Sequence, residues 1–211
     1  ADPPNLRARL LIDLAESLGI QGDLTRAMQL CEQGVALLQS GLDYAKALCV
    51  RGILPRQSGN PTPAIADLEQ ARTLYETHKQ LTGMAYATGE LGIVYYYLNQ
   101  FPQALENYQR TTKACEAMKD SRGAMIGHLN VGDVLLQQRQ YERARLELQV
   151  ALEVARKKKL TKDEITAGLY LIEAEIALGH VDEAKAELDT LQPLLANKAT
   201  ASARGNAIRL L

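Results

Sequence analysis

Ala27, Ala64, Ala104, Ala144 and Ala184 succeed one another at spacings of 37, 40, 40 and 40 residues, and each closes a similar phrase, LNQFPQA and QRQYERA among them. A period of that length marks one supersecondary unit used repeatedly, because so small a unit cannot bury its apolar face alone and must stack on its neighbours. Twelve residues before each alanine stand Ala15, Gly52, Gly92, Gly132 and Ile172; four after stand Cys31, Leu68, Tyr108, Leu148 and Leu188; seven after stand Gly34, Ala71, Thr111, Ala151 and Leu191. The small residues of these columns let two antiparallel helices approach closely, while the larger ones fill the space between neighbouring pairs.

The pattern resembles the tetratricopeptide repeat over roughly residues 6–196, most clearly in GELGIVYYYLNQFPQALENY and LNVGDVLLQQRQYERARLEL. The resemblance implies an all-α, right-handed α-α superhelix, a tetratricopeptide solenoid of five helix-turn-helix repeats plus a C-terminal capping or truncated helix. It is read as a single domain over 1–211, with repeats at 6–40, 43–80, 83–120, 122–160 and 163–196 and the last helix at 199–211. That last helix either caps the array or opens a sixth repeat, and the second alternative makes the chain a fragment of a larger protein. The standard repeat is about 34 residues, so about six residues per repeat must lengthen the helices or the links. Repeats of this length are similar to the subgroup holding the Pins-type spindle-orientation adaptor and the ligand domain of the bacterial maltose regulator. The fifth repeat departs, with Ile172 and Glu175 where small and aromatic residues are expected.

Polar punctuation places first helices at about 6–20, 43–57, 83–98, 122–138 and 163–178, and second helices at about 24–39, 62–78, 101–118, 141–158 and 181–196. Gly22, Gly59, Asn99 and Gly179 stand where a left-handed turn is needed before a second helix. Pro61, Pro63 and Pro102 suit the first turn, where a missing amide hydrogen costs nothing. Asp120 and Asp163 are expected to cap or charge-complement the following helices.

The balance of 24 Lys and Arg against 25 Asp and Glu creates no global field for nucleic acid or an anionic membrane. No apolar run approaches the ~20 residues of a membrane helix, so a soluble chain is expected. Cys31, Cys49 and Cys115 are odd in number and far apart, which suits neither a disulfide framework nor a metal site and fits a reducing, cytoplasmic setting. A reaction centre needs nucleophile, base and orienting group to converge, yet His78, His128 and His180 fall in different repeats, and no glycine-rich phosphate loop follows a strand. No enzyme activity, cofactor or metal is expected.

In a tetratricopeptide superhelix the first helix of each pair lines the concave face, which the resemblance carries over to this chain. Counting the small column as position 8, the inner positions are Lys46, Cys49, Val50, Ile53, Arg56 and Gln57 in repeat two and Tyr86, Gly89, Glu90, Ile93, Tyr96 and Tyr97 in repeat three. Repeat four contributes Ile126, Leu129, Asn130, Asp133, Leu136 and Gln137, and repeat five Thr166, Leu169, Tyr170, Glu173, Ile176 and Ala177. The candidate partner-binding residues are Lys46, Arg56, Tyr86, Glu90, Ile93, Tyr96, Tyr97, Asn130, Asp133 and Gln137, in a groove basic towards repeat two, aromatic at its centre and acidic beyond. Tyrosine offers a rigid apolar face and a hydroxyl at low entropic cost. Tyr95, by contrast, fits a core slot. Asn130 stands where Pins-type proteins carry an asparagine that pairs with an extended ligand's backbone; otherwise it is a solvated amide. A carboxylate clamp for a chaperone C-terminus is not found, since Lys46 and Arg56 are flanked by Arg9 and Asp13 in repeat one and by Tyr86 and Glu90 in repeat three rather than by a lysine and asparagine set.

The expected function is a scaffold holding a peptide or protein partner in the groove, with self-association left open and neither nucleic acid nor membrane as partner. The alternative is a ligand-sensing and oligomerisation module of a larger bacterial regulator.

Overall fold

The computed structural model describes residues 4–57 and 62–196, with the side chains of Pro4 and of residues 55–57 outside that description. Ten helices and no strand occupy the described residues: α1 (Pro4–Gln21), α2 (Leu24–Ala36), α3 (Gly41–Gln57), α4 (Ala64–Thr77), α5 (Leu81–Tyr97), α6 (Phe101–Ala117), α7 (Ser121–Gln137), α8 (Tyr141–Lys157), α9 (Thr161–Leu178) and α10 (Val181–Ala196). Each helix expected within these residues is present, with ends moved by at most three residues. Gly59, Pro61 and the expected helix at 199–211 lie outside the described residues.

From α5 onwards the helices begin at residues 81, 101, 121, 141, 161 and 181. The left-handed residues between them recur with the same period: Lys79, Asn99, Lys119, Arg139, Lys159 and Gly179. Each forty-residue repeat is thus two twenty-residue halves, a helix and a short link. Since the links hold only two or three residues, the length beyond the standard repeat lies in the helices.

Sequence reasoning found Gly22, Asn99 and Gly179 in this role, but not the lysines and arginine. In those links the amide after the left-handed residue closes back onto the helix, as in Gln80 N–H to Tyr75 O at 2.8 Å and Gln140 N–H to Leu135 O at 2.8 Å. A cation at this place complements the last carbonyls of the helix, offsetting part of the backbone cost. Asp120 does cap α7, accepting the Gly123 amide at 3.0 Å. Asp163 lies inside the first turn of α9, where its charge suits the dipole but no side-chain cap forms.

The chain divides into two compact units, residues 1–110 and 111–211, with the division inside α6. In the first unit α1 packs on α2, α3 on α4, and α3 also touches α1 and α5. In the second, α7 packs on α8, α9 on α10, and α7 touches α9. The recurring spacing of small residues acquires a direct physical cause here: Ala27, Ala64, Ala104 and Ala144 are fully buried. A Cβ at Gly92 would lie 2.6 Å from the Tyr108 ring, one at Gly132 2.6 Å from Leu148, and one at Gly52 3.0 Å from Leu68.

Candidate functional site

The first helices α1, α3 and α5 are neighbours in the first unit, with α3 touching both of the others. Three ion pairs join α1 to α3: Lys46 Nζ lies 2.6 Å from Asp13 Oδ1 and 3.6 Å from Glu16 Oε2, and Arg9 Nε lies 3.6 Å from Asp43 Oδ1. The hydrogen bond from Lys46 to Asp13 raises the ammonium pKa above its ordinary value. Lys46 is therefore not the open cation expected at this end of the groove, because two carboxylates of α1 already surround it.

Next to these pairs lies a cleft of about 200 Å³ lined by Glu16, Gly19 and Ile20 of α1, Val50, Ile53 and Leu54 of α3, and Tyr86 and Glu90 of α5. All but Leu54 occupy inner positions of the repeat register. The α1 contributors went unnamed in the sequence reading, although the same register applied to repeat one designates Glu16, Gly19 and Ile20. Val50 and Leu54 are buried, Glu16, Ile53 and Glu90 half-buried, and Tyr86 is 46% exposed. Further along α5, Ile93 and Tyr96 are half-buried and Tyr97 is 62% exposed. Tyr96 meets Tyr97 and Phe101 edge to face, at centroid distances of 6.2 and 5.9 Å. Tyr95 packs at the margin of the core formed by α3, α4 and α5. The side chain of Arg56 lies outside the described residues.

Several inner positions are not available surface. Cys49 and Val50 are 1% and 4% exposed, and Leu136 and Leu169 are each 5% exposed. Their helices lie against neighbouring first helices, so side chains at these positions are covered from the flank. Burial, with Glu90 and other carboxylates nearby, pushes the Cys49 thiol up to about 12, which leaves it an inert packing group.

In the second unit, Asn130 and Asp133 on α7 are half-buried and Gln137 is exposed. Gln137 Nε2 donates to Asp133 Oδ1 at 3.4 Å. Facing them in register on α9 are Tyr170 and Glu173. Burial first, and then Asp133 and Glu173, push the Tyr170 hydroxyl up to about 12; burial followed by Asp133 raises the Glu173 carboxyl.

The three histidines do not converge. His78 Nδ1 lies 2.8 Å from the Leu74 carbonyl oxygen, and His180 Nδ1 lies 2.7 Å from the buried Glu175 carboxylate. His128 on α7 bridges two other helices, with Nδ1 2.6 Å from Glu147 on α8 and Nε2 3.4 Å from Glu116 on α6. Among the described residues no group of three His, Cys, Asp or Glu could hold a metal, and no helix is long and apolar enough to cross a membrane.

Solved helical-repeat proteins superpose on this arrangement. The chain has a tetratricopeptide-type helical-repeat fold. It matches a putative kinesin light chain from Podosopora anserina with nearly identical TPR-like repeats at 18% identity and TM-score 0.78, covering 93% of this chain and 98% of that one. A Signal Transduction ATPase with Numerous Domains from Pyrococcus horikoshii, which carries a tetratricopeptide repeat sensor, matches at 13% identity and TM-score 0.88 over 99% of this chain and 33% of that one. A Rap protein complexed with Competence and Sporulation Factor matches at 12% identity and TM-score 0.75, covering 90% of this chain and 54% of that one. No family model and no curated protein matches the sequence.

Proposed function

We propose that the chain is a non-catalytic protein-interaction scaffold that holds a peptide or protein segment against the faces of its first helices. The observation that carries this reading is the cleft across α1, α3 and α5, bordered by Tyr86 and followed in register by Ile93, Tyr96 and Tyr97. Aromatic side chains beside a concave apolar surface are what binding hot spots are made of. Lys46, Glu90 and Arg56 complete the proposed surface in the first unit. Asn130, Asp133 and Gln137 form the corresponding proposed surface of the second, where the Asn130 amide would pair with an extended ligand's backbone as the Pins-type resemblance implies. The likeness to a Rap protein that binds Competence and Sporulation Factor supports the general mode, a helical-repeat face holding a partner.

A phage-displayed library of random twelve-residue peptides, selected on the intact chain, tests it. Selected peptides should bind a folded Tyr86→Ala/Tyr97→Ala variant at least about tenfold more weakly, equivalent to roughly 1.4 kcal/mol. Unchanged affinity, or protection from hydrogen exchange confined to the second helices, moves the site elsewhere.

A second reading, a sensor module of a larger signalling protein, draws on the likeness to the Pyrococcus horikoshii sensor. It requires that the natural reading frame encode an ATPase or DNA-binding module beside these repeats, and a frame coding for the repeats alone rules it out.

A further inference from the structure

We propose that the exposed face of α1 docks an amphipathic helix of a partner protein, laid antiparallel along it as a second helix is laid along each later first helix; this surface is separate from the cleft and does not depend on it. Five residues before the small column stand Leu10, Ala47, Ala87, Gly127 and Ala167. The last four are buried. Where the contacts can be named, the preceding second helix covers them: Cys31 Sγ of α2 lies 3.8 Å from the Ala47 carbonyl oxygen, and a Cβ on Gly127 would lie 3.1 Å from Thr112 Cα of α6. Leu10 is instead 61% exposed, and one turn to either side Leu6 and Leu14 are 43% and 48% exposed. In the later repeats the position of Leu14 holds Leu91, Val131 and Leu171, all buried. α1 packs on α2 and α3, and its row of three leucines stays open to water as a contiguous apolar strip.

Continuity with the contact between repeats says what kind of occupant fits, and size and charge narrow it. Alanine or glycine lets the covering helix come close; leucine at the same place holds it off unless that helix is small where it crosses. The crossing is made by the residues eight and eleven after the repeat alanine, as Thr112 meets Gly127 and Cys115 meets Gly123. A helix seated on Leu10 and Leu6 therefore needs small residues three apart. A second copy stacked head to tail would bring Gln192 and Leu195 to these places, bulk against bulk with an amide pressed on leucine, and so does not suit. The residue twelve after the repeat alanine also reaches across: Arg156 Nε lies 3.3 Å from Glu164 Oε1, and Glu116 Oε1 3.4 Å from His128 Nε2. In the register of Glu164, α1 carries Arg7, which is exposed and in no ion pair among the described residues. The fitting helix thus carries a carboxylate directly after its second small residue.

Three stapled helical peptides, identical except for the cluster Ala-x-x-Ala-Glu, Leu-x-x-Leu-Glu or Ala-x-x-Ala-Lys, test this when titrated into the intact chain and followed by leucine methyl shifts. The first should shift Leu6, Leu10 and Leu14 saturably and bind at least about tenfold more tightly than either of the others. Leu10→Glu, a change at an exposed site checked for folding by circular dichroism, should abolish binding. Arg7→Glu should reverse the preference between the glutamate and lysine peptides, which a purely structural arginine would not do. Equal binding of the three peptides, shifts confined to other helices, or no shift at all overturns the proposal. So does a dimer in sedimentation velocity that Leu10→Glu dissolves, since the face then belongs to a second copy. The groove reading falls or stands separately, because Leu10→Glu leaves Tyr86 and Tyr97 in place.

Discussion

Repeats four and five fold into the same pair of antiparallel helices by opposite choices at the same positions. In repeat four the close approach is made by Gly132, above which Leu148 sits, while its seven-after position is Ala151. In repeat five the corresponding positions hold Ile172 and Leu191, both large and both buried. The glycine has moved one turn back along the first helix to Gly168, where a Cβ would lie 2.7 Å from Leu191. Moving four residues back on one helix and three forward on its antiparallel partner is the same displacement of about one turn along the pair. Size complementarity across the pair is therefore preserved while the glycine and its large partner both shift by about one turn. The polar element differs as well: repeat four carries His128 where repeat five carries Gly168, and repeat five buries Glu175 against His180.

Reciprocal substitutions should break this equivalence with the largest effects. Gly132→Leu puts a side chain into space filled by Leu148 and should cost about 3 kcal/mol or more, since the backbone of a tightly crossed pair has little room to retreat. At the same register position Ile172→Gly should also destabilise, by roughly 2–5 kcal/mol, because it empties a packed slot and adds helix-interior glycine. Denaturant midpoints of the two variants decide the matter. A Gly132→Leu protein as stable as the parent would mean that the two repeats do not differ in where they make their close contact.

A smaller effect separates the repeats electrostatically. The hydrogen bond to Glu147, with the Glu116 carboxylate also near, raises the His128 pKa above 6.5 despite partial burial. A folded-state pKa raised in this way contributes stability that is fully present below the unfolded value and disappears as pH rises through the folded one. Between pH 6 and pH 8 the chain should therefore lose stability through His128. His128→Gln should cost on the order of 1 kcal/mol near pH 6 and less at pH 8, the magnitude tempered by the exposure of Glu116. Urea titrations of both proteins at the two pH values measure the gap, and an identical gap at both would show that no charge is coupled to folding at this site.

The alternation of small and large residues at a fixed register made the helical pairs legible from the sequence, and the ends of α6, α8 and α10 follow from it within a residue. What stayed hidden depends on contacts between residues far apart in the chain. Nothing local distinguishes Lys46 as a paired ammonium, because its partners Asp13 and Glu16 lie on another helix one repeat earlier. Cys49 and Leu136 sit at positions that face outward on an isolated helix, yet neighbouring helices cover them. Tyr86 and Glu90 could be named from register alone; that they share a cleft with Glu16 and Ile20 required the helices to be set side by side. The exchange of glycine between Gly132 and Gly168 was visible only as an irregularity at Ile172, since its compensation at Leu191 belongs to the other helix.

The gentlest test of the comparison lies in the links. Arg139 turns repeat four at φ 57° and Gly179 turns repeat five at φ 84°, so one left-handed site carries a long side chain and the other none. The left-handed conformation costs an ordinary L-residue about 1–2 kcal/mol, which argues for glycine at both. Two effects oppose it: glycine gains more entropy on unfolding, and a cation near the last carbonyls of a helix is worth roughly 0.3–1 kcal/mol. Glycine's entropy effect is about 0.4–1 kcal/mol, and in mid-range the two together fall short of the left-handed cost, so Arg139→Gly should stabilise the chain by somewhat under 1 kcal/mol, and Gly179→Arg should destabilise it by a similar amount, both read as shifts in thermal midpoint at fixed salt. If Arg139→Gly instead lowers the midpoint, and the loss shrinks in high salt, the guanidinium outweighs the backbone strain. The recurrence of Lys79, Lys119, Arg139 and Lys159 at these turns would then reflect selection for charge at the helix ends rather than tolerance of it.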